Sequence, residues 1–536
     1  MSIIHRALLL AALPLIVGAS DAITPEAMRA HVEFLASDAL EGRETGTRGY
    51  DIAAQYVASR FRAAGMQPVS DKGWFQQVPF IANLVDEKTS SLSINGQSFT
   101  LRQDVLFGPA RSAGTEIVEG NVVFAGFGID DPRNGQNDYK GLNVKGKIVA
   151  VLSGFPKGTP SDIGAHYGRT KAKMAEGRGA IGVVTIRTLE RESTRPWARE
   201  TEGPQHPTMN WAQADGSMFS EAPAIRFSAT LGEKAAEALF KTAPKSLKDI
   251  LIDADKQGGR PKGFALKPVV KIDRTTSSTT VSSPNVVGMI LGSDPALANE
   301  YVLLMAHLDH NGVDATKADD KIYNGAMDNA SGTATLLEAA RALANGPRPR
   351  RPIIFAAVTA EERGLLGSDY LARNAVITNG KVVSVVNLDM PVLLYDFQDV
   401  VAFGAEHSTM GDAVARAVAS QGIALSPDPI PAEGIFTRSD HYSFVRQGVP
   451  SVFLITGFKN GGEQQFQNFL KTHYHKVSDD LALPFDWNAA AKFARINTMI
   501  AAEIANADQA PQWYADSFFG KTFAPGAPKA PRPAAK

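Results

Sequence analysis

The 536-residue chain has no cysteine. Disulfide frameworks, thiolate metal sites and a cysteine nucleophile are excluded, and any metal must be held by His, Asp and Glu. An excess of charge of either sign is also missing. With 55 Lys and Arg against 56 Asp and Glu, nothing in the chain invites a polyanion, and no nucleic-acid partner is expected. There is no Gly-x-Ser-x-Gly elbow and no His-Glu-x-x-His helix, so two common routes to hydrolysis lack their residues.

Long apolar runs are scarce. Arg6 precedes the run Ala7 to Val17, which is broken at Pro14 and followed by the small residues Ala19, Ser20 and Ala22. This run falls well short of the roughly 20 apolar residues of a spanning helix. It reads as a cleaved export signal over 1–22, which implies a periplasmic or secreted protein with no stable membrane insertion after signal removal. At the other end, the residues from Ala524 alternate Pro, Ala, Gly and Lys, and 511–536 are expected to form a disordered tail.

The length allows two or three units. Thr24-Pro25 marks a helix start, with Met28, Val32 and Leu35 at helical spacing after it. From about Gly120 to Ile186 short β-rich runs alternate with turns, which predicts an inserted domain, bounded here at 111–270. Beyond Pro284, apolar runs at Tyr301–Ala306, Ile353–Val358, Val382–Leu388 and Val449–Ile455 alternate with helical stretches, and Asp486 caps a last long helix. That alternation predicts an α/β fold: a three-layer sandwich in which helices cover both faces of a mixed, mostly parallel sheet. Its main part is assigned to 271–510, with 23–110 as an N-terminal part.

Ligands of open α/β sheets gather beyond the carboxyl ends of the strands. His307 and Asp309 follow the first run, Glu361 and Glu362 the second and Asp389 the third, while Asp328 lies before the helix that begins near Ser331. Each acid alone could cap a helix or sit in solvent. Together they form a buried set of carboxylates that repel one another unless cations lie between them. Three carboxylates, two neutral imidazoles and one hydroxide balance two divalent ions, and nitrogen and oxygen ligands without thiolate suit zinc. A fifth ligand is needed. The segment Tyr474 to Asp480 offers it through His475, with His473 as competitor, while His310 and His441 lie near the site without an assigned role.

The ordered strings His307-Leu308-Asp309, Gly325 to Gly332, Glu361-Glu362 with Gly364 to Ser368, Asn387 to Met390, Ser439-Asp440-His441 and Tyr474-His475 resemble those of the co-catalytic di-zinc aminopeptidases, which include aminopeptidase Y and the bacterial leucyl aminopeptidases. Gly146 to Val149 and Gly179 to Val183 resemble the protease-associated domain inserted in such enzymes. The resemblance implies a zinc-exopeptidase fold and two Zn2+ ions. Asp328 would bridge the ions, His307 and Asp389 would complete one site, and Glu362 and His475 the other. It further implies a cis Asp328-Asn329 peptide. Glu361 is the implied general base towards a water shared by the ions, Asp309 the residue orienting His307, and Tyr474 a stabiliser of the developing oxyanion. Lys476-Val477 stands where many members carry Thr-Pro. Peptides are the implied substrates, cleaved from the amino end. The rival readings are a carboxypeptidase or dipeptidase, a glutaminyl cyclase, and a non-catalytic binding module on the same fold.

Overall fold

Runs of Val, Ile, Leu and Ala build the central sheet of the computed structural model, which describes residues 23–202 and 206–533. The expected export signal, 1–22, lies outside the described residues. Four strands, Ile353–Val358, Glu300–His307, Lys381–Leu388 and Ser451–Thr456, lie side by side in parallel. Antiparallel neighbours flank them on both sides: the end of the long strand Phe264–Ile290 pairs with Ile353–Val358, and Asp399–Phe403 pairs with Ser451–Thr456. The sheet is therefore mixed and mostly parallel, as the alternation of apolar runs predicts.

Its near-continuous apolar strands are explained by burial on both faces. Val302, Leu304 and Ala306 point into one apolar cluster, shared with the helices Ser331–Asn345 and Trp487–Asn506. Leu303 and Met305 point into another, with Leu371 and Phe444 from the opposite layer. The two-residue period of a strand thus divides one hydrophobic run between two cores. Local signals set the helix starts. Thr24 Oγ1 accepts from Ala27 N at 3.2 Å, and Asp486 Oδ1 accepts from Ala489 N at 2.9 Å. Gly332 is required by a close approach, since a Cβ there would lie 2.5 Å from the Leu388 carbonyl. The helix Ser331–Asn345 can therefore start directly against the strand that ends at Leu388.

The register carries these features to the site. His307 is level with Val358, and Met305 with Asn387, so the loops holding Asp309, Glu361, Glu362 and Asp389 leave the sheet at the same edge. Among the described residues no helix is long and apolar enough to cross a membrane.

A second unit stands on the long strands Phe75–Val85 and Phe264–Ile290, which pair antiparallel with Phe75 opposite Val286 and Val85 opposite Thr276. Its own sheet is partly parallel: Gly114–Phe124, Ile148–Leu152, Gly182–Ile186 and Phe227–Leu231 adjoin in that order. It is larger than the expected 111–270. Val85, Leu92, Phe99 and Phe107 share one core with Val118, Leu231 and Ile272, so the unit begins near residue 85. The short hairpin Ser91–Phe99 offers too little periodic sequence to reveal which core it joins.

The C-terminal segment departs from expectation. Within 511–533 the chain forms a helix, Phe518–Phe523, and packs onto both units. Trp513 is buried and donates from Nε1 to the Gly448 carbonyl at 2.7 Å. Phe519 packs on Phe436, while Phe518 meets His166 and Tyr167 of the second unit. The Pro/Ala composition pointed to disorder, but five aromatic residues between Trp513 and Phe523 supply the apolar area that such a tail otherwise lacks. Trp513→Ala is expected to destabilise the chain by about 3–5 kcal/mol, the usual cost of emptying a buried Trp site, read as a shift in the urea unfolding midpoint. A shift near zero would mean that the segment is not seated in solution.

Candidate metal centre

Four loops and one turn bring the expected residues together. His307 Nε2 lies 3.1 Å from Asp389 Oδ1 and 3.3 Å from Asp328 Oδ1. His475 Nε2 lies 3.2 Å from Asp328 Oδ2 and 3.1 Å from Glu362 Oε2. The two oxygens of Asp328 therefore face different histidines, one in each cluster. Tetrahedral zinc with bonds of roughly 2.0–2.1 Å separates its ligand atoms by about 3.3–3.4 Å. The four contacts match that spacing, so the donor set fits a pair of zinc ions sharing Asp328 in chemistry and in size.

The rest of the shell fixes these side chains. His307 Nδ1 faces the Asp309 main-chain carbonyl at 3.1 Å. The Asp309 carboxylate is 4.0 Å from that nitrogen and instead accepts from Glu361 N at 3.1 Å and Glu362 N at 3.3 Å. Asp309 thus holds His307 through its backbone and the Glu361-Glu362 pair through its side chain. Ser439 Oγ donates to Asp389 Oδ2 at 2.6 Å. Asp479 accepts from Met327 N and Asp328 N at 2.8 and 3.0 Å, which sets the turn carrying Asp328. The Asp328-Asn329 peptide is cis. Ala360, Met390 and His475, at or beside the assembled residues, are held at positive φ of 55°, 40° and 54°. Non-glycine residues adopt that conformation at a cost and concentrate at functional sites.

The competing histidines are turned away. His473 Nδ1 bonds the Ser478 carbonyl and hydroxyl, and His441 Nε2 bonds the Phe436 carbonyl. Tyr474 stacks on the His475 ring at 3.9 Å between centroids and lines the same cavity. Burial, aided by the surrounding carboxylates, pushes its phenol far above the ordinary range, so the hydroxyl stays neutral and able to donate.

Charge dominates this pocket. Burial disfavours a charged His475, but hydrogen bonding to Asp328 and the charge of Glu362 outweigh it and hold the imidazole up to about 9. His307 is likewise raised well above its ordinary value, burial being overcome by Asp389 and Asp328. Glu361 is raised by burial; His307 opposes the rise, and Glu362, Asp440 and Asp389 reinforce it. Burial, only partly offset by His307, also pushes Asp440 up to about 7.

Sequence reasoning passed over Arg43. Its buried guanidinium donates to the carbonyls of Leu308, Asn324 and Gly325, bracing the loops of His307 and Asp328 against each other. A lone arginine in a turn carries no motif. Ser439 and Asp440 stood in a motif without a role, and the structure places Ser439 on Asp389.

Residues 285–501 match the profile of Peptidase family M28. A probable zinc metalloprotease of Pyrenophora teres f. teres is 36% identical over 110 residues, which are 20% of this chain and 22% of that protein. A probable glutamate carboxypeptidase, AMP1, of Arabidopsis thaliana is 24% identical over 377 residues, 65% of this chain and 49% of that one. The chain thus spans half or less of the length of these relatives. An aminopeptidase from Aneurinibacillus sp. strain AM-1 superposes with a TM-score of 0.51 at 18% identity, over 92% of this chain and 97% of that structure, which shows a shared fold.

A histidine raised to about 9 must shed its proton before it ligates a metal. Below that pH, zinc uptake is therefore expected to release protons, and affinity to climb at least roughly tenfold per pH unit between pH 7 and 9. Calorimetry in buffers of different ionisation enthalpy reads both quantities. A zinc affinity that is flat with pH would place His475 outside the ligand set.

Proposed function

We propose, from the match of residues 285–501 to Peptidase family M28, that the chain is a zinc aminopeptidase, removing N-terminal residues from peptides with two metal ions and Glu361 as base. One observation carries the reading: Asp328 turns one oxygen to His307 and Asp389 and the other to His475 and Glu362. Glu361 stands beside this set and is given no ligand partner by it. In this reading His307, Asp389 and Asp328 would hold one ion, and Glu362, His475 and Asp328 the other.

Bound zinc supplies Lewis acidity, polarising a carbonyl and acidifying water. Glu361 does the proton work. Its raised pKa lets it keep a proton taken from water long enough to deliver it to the departing amine, whereas a carboxylate committed to a metal could not shuttle so readily. The neutral Tyr474 hydroxyl belongs to a side chain lining the same cavity, which supports a role as donor to the oxygen on which charge develops.

The cavity supports exopeptidase action. It holds about 180 Å³ and is lined by Met390, Ile430, Ile435, Phe466 and Leu470, a size and apolar wall that suit one terminal side chain. Its charges favour the amino end. Arg438 in the wall is already paired with Glu433 at 3.0 Å, so its guanidinium is engaged rather than free for a terminal carboxylate. The name of the Arabidopsis relative points to the opposite end of a peptide, and a glutaminyl cyclase would use an N-terminal substrate without hydrolysis. The apolar segment after Arg6 supports a periplasmic or secreted location.

Glu361→Gln is expected to lower kcat by about 10²–10⁴-fold, the usual contribution of a general base, with zinc content unchanged. Free amino-acid amides and peptides should be hydrolysed and N-terminally blocked ones left intact. Hydrolysis of the blocked substrate alone would reverse the assigned direction, and full activity in the Glu361→Gln variant would remove the base.

A further inference from the structure

His310 follows Asp309 by one residue and received no role from the sequence. Its side chain is fully buried, and its Nδ1 lies 2.7 Å from Glu362 Oε1. The other oxygen of Glu362 faces His475 at 3.1 Å. His310 Nε2 is buried without a hydrogen-bond partner.

Two functions fit an imidazole beside a metal-binding carboxylate: it can be a further ligand, or it can hold that carboxylate in place. Distance separates them. Atoms that share one tetrahedral zinc are kept about 3.3–3.4 Å apart by their bonds to it, and the His307 and His475 contacts, at 3.1 to 3.3 Å, have that spacing. At 2.7 Å the His310–Glu362 contact is too short for two ligands and has the length of a charge-assisted N–H to carboxylate hydrogen bond. That bond uses Oε1 and leaves Oε2 to face His475. The fold makes room for this ring at a specific place: a Cβ on Gly325, which has φ of 57°, would lie 2.6 Å from the His310 ring.

We propose that His310 is a positioning residue, whose Nδ1–H bond to Oε1 locks Glu362 so that Oε2 alone is offered to the second ion. The proposal rests on the metal-ligand reading of Glu362 given above. The imidazole carries its proton on Nδ1 and takes no part in coordination. It does for Glu362 what the Asp309 carbonyl does for His307.

Asparagine places an amide N–H close to where histidine carries Nδ1, whereas glutamine carries its amide near the Nε2 position. This gives a ranking that size alone does not. Zinc dissociation constants are measured by competition with a fluorescent chelator for the wild type, H310A, H310N, H310Q and, as a reference, D328A, with circular dichroism confirming the fold of each. H310A and H310Q are expected to weaken one of the two ions by about 10–100-fold, the usual effect of losing such an outer partner, and H310N to return close to wild type. A wild-type affinity in H310A and H310Q would overturn the proposal. So would H310N binding as weakly as H310A, because the imidazole would then itself be a ligand. D328A separates this failure from that of the functional reading: retention of both ions in D328A would sink the metal centre as a whole, whereas their loss alongside an unchanged His310 series would sink the positioning role alone.

Discussion

The structure depends on one buried negative charge being shared between two places. Asp328 is almost completely shielded from water, and each of its oxygens is turned to a different imidazole. Around it lie Asp309, Glu362, Asp389, Asp440 and Asp479, with Arg43 as the buried permanent cation bracing their loops. Burial penalises Arg43 enough to bring it down to about 10, although the neighbouring carboxylates pull it the other way. So dense a set of carboxylates in a desolvated pocket is relieved either by protonation, as the raised Glu361 and Asp440 show, or by cations between the ligands. The scaffold answers by spending backbone groups on orientation: the Asp309 carbonyl on His307, and the amides of Met327, Asp328, Glu361 and Glu362 on the outer carboxylates.

Much of this was legible before any coordinates. The parallel sheet follows from apolar runs at regular intervals, and the site from acids and a histidine at the end of each run, because a strand's carboxyl end is where a loop can present polar groups without breaking a ladder. His475 was preferred to His473 only through the family resemblance of the string Tyr474-His475, and the structure turns His473 towards Ser478. What escaped the sequence depends on contacts between segments far apart in the chain. Arg43 acts on carbonyls more than 260 residues away, and a carbonyl acceptor leaves no mark in sequence. The split role of Asp309, backbone to His307 and side chain to the Glu361 and Glu362 amides, likewise needed geometry.

The boundaries of the second unit and the C-terminal segment were misjudged for related reasons. Composition averages over a stretch, whereas burial is decided by a few side chains. Phe518 and Phe519 suffice to seat a Pro-rich segment against Tyr167 on one side and Phe436 on the other. The segment joins the second unit to the loop that carries Ile435 and Arg438 into the cavity wall. The wall of the candidate cavity is thus supported by residues remote in sequence from the candidate metal ligands.

The claim at the centre is that Asp328 is shared between two ions. Anomalous scattering at the zinc edge from crystals of the zinc-loaded protein tests it most directly. The account requires two separate peaks, one at each Asp328 oxygen, the first also touching His307 and Asp389 and the second Glu362 and His475. A single peak, or two peaks that leave one Asp328 oxygen without a metal, would contradict it.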